Sequence, residues 1–360
     1  MKRFKSVVAL FLVLTMILSL AACGNTETEN SESNEESNPV ENTEEDGAKA
    51  LEGTTLRIVA TSESYKELFD KFTDKTGIKV EFVSMSSGEL LSRTKAEGGK
   101  PMADFWFGGG LDAFMQAKEE GLLESYKSPQ TEDIPDQYKD SEGYWVAKGM
   151  TIVGFIGNNE VLEENDLPMP KNWKDLTDPK YKDEIIMSNP AISGTNYAVV
   201  NGLLQSMGEE AGWKFFEELD KNIPYYGKRG KDPQLKAVEG EVAIGITYID
   251  KGIFDLQEER NMTVVYPEDG IPWVPEGMAI FKNAENLEAA KLFMDWIFTK
   301  DVQSELAKLD GKDSAMMVKP DVQGLELGVP KDTLLELDLS SFGNDRETIL
   351  NKWSELVGDK

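Results

Sequence analysis

Ala103-Asp104-Phe105-Trp106-Phe107-Gly108-Gly109-Gly110 is a short apolar run that stops in three glycines. It passes straight into Leu111 to Glu120, a stretch with helical spacing that Gly121 ends. A strand that breaks at glycines and becomes a helix is half of a βαβ unit, and the neighbouring sequence supplies the rest. Upstream, Thr55 to Ala60 (TLRIVA) reads as a strand, and Thr61-Ser62-Glu63-Ser64 leads into a helix. That helix carries Tyr65, Leu68, Phe69 and Phe72 on one face and ends at Gly77. Ile78 to Val83 alternates as a second strand, and Gly88 to Glu97 is again helical. Strands alternating with helices at this spacing predict an open, mainly parallel α/β sheet.

A second α/β unit follows downstream. Ile152 to Ile156 is an apolar strand, Glu184 to Met187 another, and a helix opens near Ser193-Gly194-Thr195. An amphipathic helix over Ala211 to Lys221, a buried strand over Val242 to Thr247, a late strand over Met278 to Phe281 and a helix over Leu287 to Thr299 complete the pattern. About 310 residues lie beyond Leu51, a length that suits two lobes.

Charge and composition narrow the function. The 360 residues carry a formal charge of −28, of which about −23 falls on the body after residue 50. So acidic a body argues against nucleic acid, whose phosphates need clustered Lys and Arg. It also repels anionic lipid. The chain has no histidine, which removes the commonest general base, the Ser-His-Asp and Cys-His arrangements and the usual zinc ligands.

The amino end reads as an export signal: Lys2, Arg3 and Lys5 precede an apolar stretch from Val7 to Leu20. Cys23 is the only cysteine, so no internal disulfide is possible. Leu20-Ala21-Ala22-Cys23-Gly24 resembles the lipobox of bacterial lipoproteins, which implies a diacylglyceryl group on Cys23 and removal of residues 1–22. Asn25 to Ala50 holds nine acidic residues and one lysine. It cannot bury enough surface to offset its ordering entropy, so residues 23–50 are expected to form a disordered acidic tether. Such a spacer suits a thick-walled, single-membrane bacterium.

Along the body, Thr76 to Val80, Ala103 to Gly110, Glu120 to Tyr126, Asn189-Pro190 with Ser193-Gly194-Thr195, Gly240 to Gly245 and Ala289 to Phe293 occur in a telling order. With these motifs the chain resembles the extracellular solute-binding proteins of ABC importers, in the branch of ferric-ion, phosphonate and hexose-phosphate binders. The resemblance implies a type II periplasmic-binding-protein-like α/β fold, two lobes joined by two crossover strands that close on a ligand by hinge motion. The crossings are expected near Gly149–Ile156 and Val264–Phe281. Residues 51–150 then form the first part of lobe 1, 151–265 lobe 2, and 266–360 the return to lobe 1 with C-terminal helices. It implies a monomeric binding module, not an enzyme, without cofactor or metal. Its partners are a small anionic ligand and permease subunits, with the lipid anchor as the one link to the membrane. The alternatives are ferric-ion or metal-chelate capture and, behind it, an enzyme on the same scaffold.

Ligands in open α/β lobes bind beyond the carboxyl ends of strands, where helix N-termini present amides. Thr61, Ser62 and Ser64 stand at one such place, although simple N-capping needs the same residues. Gly108, Gly109 and Gly110 stand at another, where absent side chains permit close approach, or merely a tight turn. Ser193, Gly194 and Thr195 are the best single candidate; Tyr197 beside them serves contact and core equally well. Asp250 follows the strand ending at Thr247-Tyr248, and the hexose-phosphate-like branch grips sugar hydroxyls with an acid near this place. Tyr248 stands alone where ferric binders carry adjacent tyrosines, and Tyr225-Tyr226 reads as edge packing. Glu276 is a second acid, in competition with its reading as a solvated loop charge. Trp273, placed in a loop near the hinge, is the aromatic expected in the cleft, while Trp106 is expected in the core.

Overall fold

The computed structural model describes residue 47 and residues 49–360. Cys23, the signal and most of the acidic tether lie outside the described residues. In chain order the first elements are β1 (Thr55–Ala60), α1 (Lys66–Thr76), β2 (Lys79–Ser84), α2 (Ser87–Ala96), β3 (Phe105–Gly110), α3 (Leu111–Glu119), β4 (Leu123–Glu124) and β5 (Val146–Asn158). There follow α4 (Asn159–Glu164), β6 (Ile185–Ile186), α5 (Gly194–Met207), α6 (Glu209–Asp220), α7 (Asp232–Val238), β7 (Ile244–Tyr248), α8 (Lys251–Glu259) and β8 (Met262–Val265). The chain ends with β9 (Trp273–Phe281), α9 (Leu287–Ile297), α10 (Lys300–Leu309), α11 (Ser341–Asn344) and α12 (Arg346–Val357).

The strands are ordered β2-β1-β3-β9-β5-β7-β6. β1 pairs in parallel with both β2 and β3, and β6 with β7, but the other five strand pairings are antiparallel. The sheet is therefore not mainly parallel as the alternation predicts: β9 and β5 return against their neighbours instead of crossing over in the same sense. β9 inserts antiparallel between β3 and β5, which only the tertiary structure reveals. The two lobes share β5. Its residues Val146 to Ile152 pair with β9, and beyond them Val153 to Asn158 pair with β7 on one side and β8 on the other. All 13 residues of β5 are buried, so one apolar run serves both lobes. β8 and β9 follow it on the same edge, which makes residues 266–272 the second crossing beside the first.

Phe293 of α9 anchors the first lobe, with its ring 4.9–6.1 Å from those of Phe69, Phe72, Phe105, Phe107 and Trp296. Those spacings fall in the edge-on range that aromatic quadrupoles favour. In the second lobe α7 lies so close to β7 that a Cβ on Gly245 would meet the Pro233 carbonyl oxygen at 2.5 Å and its carbon at 2.8 Å. Gly245→Ala is therefore expected to lower stability by about 1–3 kcal/mol, read from the midpoint of urea unfolding at unchanged slope.

The end of the chain does not stay with the first lobe. Trp353 of α12 packs between Phe216 and Tyr226, at ring distances of 5.6 and 5.2 Å. Arg346 Nε donates to Asp112 Oδ2 of α3 at 2.8 Å, with both groups buried. The C-terminal segment thus ties α3 to the helices of the second lobe.

Candidate functional site

β1, β2 and β3 run in parallel, so their carboxyl ends open on the same side of the sheet. Thr61 follows β1, Ser87 opens α2 after β2, and Gly108 to Gly110 end β3. Gly108 and Gly109 have φ of +84° and +108°, a left-handed backbone that side chains disfavour. Space forbids a side chain as well: a Cβ on Gly108 would lie 2.9 Å from Thr61 Oγ1, and one on Gly109 2.6 Å from Ser87 Cβ. Trp106, in the core as expected, donates its indole N–H to the Gly108 carbonyl at 3.1 Å and holds that turn.

The opposite wall comes from the second lobe. Ser193 caps α5, its Oγ accepting from the Asn196 amide at 3.4 Å and from Asn196 Nδ2 at 3.2 Å. A Cβ on Gly194 would lie 2.8 Å from Gly110 Cα and from Ser87 Oγ. Gly230 completes this wall, since a Cβ there would sit 3.2 Å from Thr195 Oγ1. The amino ends of α2 and α5 and the glycine turn of β3 therefore converge. The Gly88 amide is taken by the Ile192 carbonyl and the Asn196 amide by Ser193 Oγ, and the remaining first-turn amides and hydroxyls form a surface suited to an oxyanion.

Behind this surface is a buried ionic cluster, of which Glu276 alone is a candidate read from the sequence. Lys148 Nζ lies 2.7 Å from Glu276 Oε2 and also bridges to Asp310. Lys312 Nζ lies 3.2 Å from Glu276 Oε1 and donates to Thr151 Oγ1 at 2.8 Å, and Thr151 bonds to Glu276 in turn. The Lys148 ammonium sits 5.4 Å from the centre of the Tyr65 ring, within cation–π range. Burial alone would raise the Glu276 carboxyl; Lys148 and Lys312 overcome it and hold the group well below the usual carboxylate range. Burial opposes the charge on Lys148 likewise, and Asp310 and Glu276 keep it ionised. A trace of the cluster was present in the sequence: Lys148 is the one charged residue in the run from Val146 to Asn158.

The remaining candidates separate. Thr61 reaches the glycine turn, whereas Ser62 and exposed Ser64 bond to each other, with hydroxyls 2.7 Å apart and Ser62 Oγ capping the Ser64 amide. Asp250 is the N-cap of α8, Oδ1 accepting from the Ile253 amide at 3.0 Å. Burial pushes its carboxyl up, against the pull of Lys312. Tyr248 ends β7 half-buried, its phenol pushed up by burial and then by Asp250. Glu276 is not a solvated loop charge: it lies within β9 and is engaged by two lysines. Trp273 is not in a loop; it is the first residue of β9, and its indole N–H donates to the Leu335 carbonyl at 2.8 Å. That bond commits the ring to the crossing between the lobes. Tyr197 is fully buried against Phe342. An open depression of about 550 Å³ lies near Arg57, Lys100 and Glu285, at the amino ends of β1 and β3, and does not touch this site.

Residues 101–333 match the family model described as bacterial extracellular solute-binding protein. An uncharacterised protein of Haemophilus influenzae is 32% identical over 295 residues, 79% of this chain and 85% of its own. A putative 2-aminoethylphosphonate-binding periplasmic protein of Salmonella typhimurium is 24% identical over 267 residues, 72% of this chain and 75% of its own. The periplasmic binding protein AfuA from Actinobacillus pleuropneumoniae, solved with fructose-6-phosphate bound, superimposes with a TM-score of 0.79 at 29% identity. That match covers 86% of this chain and all of AfuA. Two lobes sharing β5, a converging set of helix ends between them and a family match over most of the body lead to one assignment: the chain belongs to the bacterial extracellular solute-binding proteins, the extracytoplasmic capture components of ABC importers.

Proposed function

We propose that the solute is a small organic anion carrying a phosphate or phosphonate group, held between the lobes and delivered to a permease. The observation that carries this reading is the convergence of α2, α5 and the Gly108–Gly110 turn on one place. Amides and hydroxyls there would bind the anionic oxygens despite the acidity of the whole body. Asp250, with one oxygen engaged in its cap, is the group to meet a hydroxyl or amine on the rest of the ligand. AfuA and the Salmonella relative support the ligand class. The lipid on Cys23 belongs to the same proposal, since an exported capture protein with no outer membrane around it must be tethered near its permease.

Ferric capture is the alternative, and it would rely on tyrosine phenolates. Tyr226 donates to Asp220 at 2.7 Å and Tyr225 to Glu241. Burial first, and then Glu241, push the Tyr225 phenol up to about 12, which opposes ionisation. A thermal-shift comparison of the mature protein with fructose-6-phosphate, 2-aminoethylphosphonate, inorganic phosphate and ferric citrate separates the readings. A rise of several degrees with a phosphate or phosphonate compound is expected from mass action. A tyrosinate absorption band on adding ferric citrate, with no shift from the others, would assign the cleft to iron.

A further inference from the structure

We infer that Gly88 is a positioning residue for lobe closure, because the backbones of the two lobes touch there and a side chain would hold them apart. Gly88 is the second residue of α2, in the first lobe, and its amide is one of the first-turn donors with no partner inside the helix. It donates instead to the Ile192 carbonyl of the second lobe at 3.2 Å. A Cβ on Gly88 would collide with the Ala191 carbonyl oxygen and lie 2.9 Å from that of Ile192 and 3.0 Å from the Ala191 carbonyl carbon. All three atoms are backbone, so no rotamer change relieves the clash.

The facing segment cannot yield cheaply. The Ile192 and Ser193 amides both donate to the Asn189 carbonyl, at 3.1 and 2.9 Å, and the Ala191 amide donates to Asn189 Oδ1 at 2.9 Å. These bonds fix the turn that aims the Ala191 and Ile192 carbonyls at α2. Gly88 itself has no positive φ, so alanine suits its backbone and is the better helix former. The two effects of Gly88→Ala therefore have opposite signs. The helix gains within its own lobe, and the closed arrangement of the lobes loses. Closure by hinge motion is a population shift, so a change confined to the closed state alters occupancy without altering either lobe. This inference concerns closure alone and stands whichever solute the cleft takes.

Small-angle X-ray scattering on the ligand-free mature protein tests it, with Glu89→Ala, an exposed neighbour on α2, as control. In Gly88→Ala the radius of gyration is expected to rise above the parent's, because the lobes separate while the hydrogen bonds inside each stay as they are, with the melting temperature unchanged or raised. Glu89→Ala should match the parent. If the radius of gyration of Gly88→Ala equals the parent's, the contact does not hold the lobes together and the inference fails. A melting temperature lowered by more than a few degrees would also overturn it, by making Gly88 a packing residue of the first lobe.

Discussion

Lys148→Ala is expected to cost about 3–5 kcal/mol of stability, the range for removing one partner of a buried ion pair. The Lys148 side chain is 1% exposed, and those of Asp310 and Glu276 are 9% and 18% exposed. Water cannot replace the ammonium, so two carboxylates are left facing each other with only Lys312 between them and neutrality. Lys79→Ala provides the contrast. Its pair with Glu81 is more than half exposed on both sides, and its loss should change stability by less than about 0.5 kcal/mol. Urea unfolding of the two variants beside the parent decides the matter; equal small losses would mean that the cluster is solvated in solution.

The same cluster sets a pH dependence. The folded carboxyl of Glu276 lies below its ordinary value of 4.5, so the folded state binds fewer protons than the unfolded state. Its contribution is fully present above about pH 4.5 and is lost as the pH falls further toward the folded value. Lys148 is shifted upward, so its contribution is present below 10.5 and is lost only as the pH rises through the higher folded value. Thermal melts from pH 6 down to pH 3 should show a decline that is shallower in Lys148→Ala, where the ammonium no longer holds Glu276 down.

The double variant Ser193→Ala with Thr195→Ala is expected to weaken the anionic ligand by more than about 100-fold. A hydrogen bond to a charged group contributes about 1.5–3 kcal/mol, so losing two costs at least about 3 kcal/mol. The effect on folding is smaller. Ser193 caps α5, and loss of that cap costs about 1 kcal/mol, while Thr195 is half-buried and makes no capping bond. Calorimetric titration with the phosphate compound that shifts the parent, run beside a melt without ligand, reads both quantities. Binding retained within threefold would remove these hydroxyls from the site and leave the amides of α5 as the anion contacts.

Much of the candidate site's geometry is legible in the sequence because helix starts and glycine turns are written locally; which of its residues touch ligand is the proposal that the variants above test. Gly108 to Gly110 could be read as a place of close approach, and Ser193 to Thr195 as a helix start, from a few adjacent residues. Ser87 and Gly88 were missed because nothing in Ser84 to Glu89 says that another lobe's backbone comes within bonding distance. Trp273 was misplaced because β9 begins five residues before the apolar run that announces it. Pro272 and Pro275 flank that start, and its pairing comes from β5 rather than from its own composition.

The sequence by itself determined the alternation of strands and helices, the absence of histidine chemistry and the positions where strands end, since each depends on neighbours within a few turns of chain. Only the tertiary structure decided the insertion of β9 between β3 and β5, the sharing of β5 by both lobes and the meeting of Lys148 with Asp310 and Glu276 across more than 120 residues of chain. The physical reason is range. Periodicity and turn chemistry report what a segment buries, whereas charge pairing and lobe contact depend on which distant backbone arrives beside it, and Phe105-Trp106-Phe107-Gly108-Gly109-Gly110 carries both messages with only the first written in its own residues.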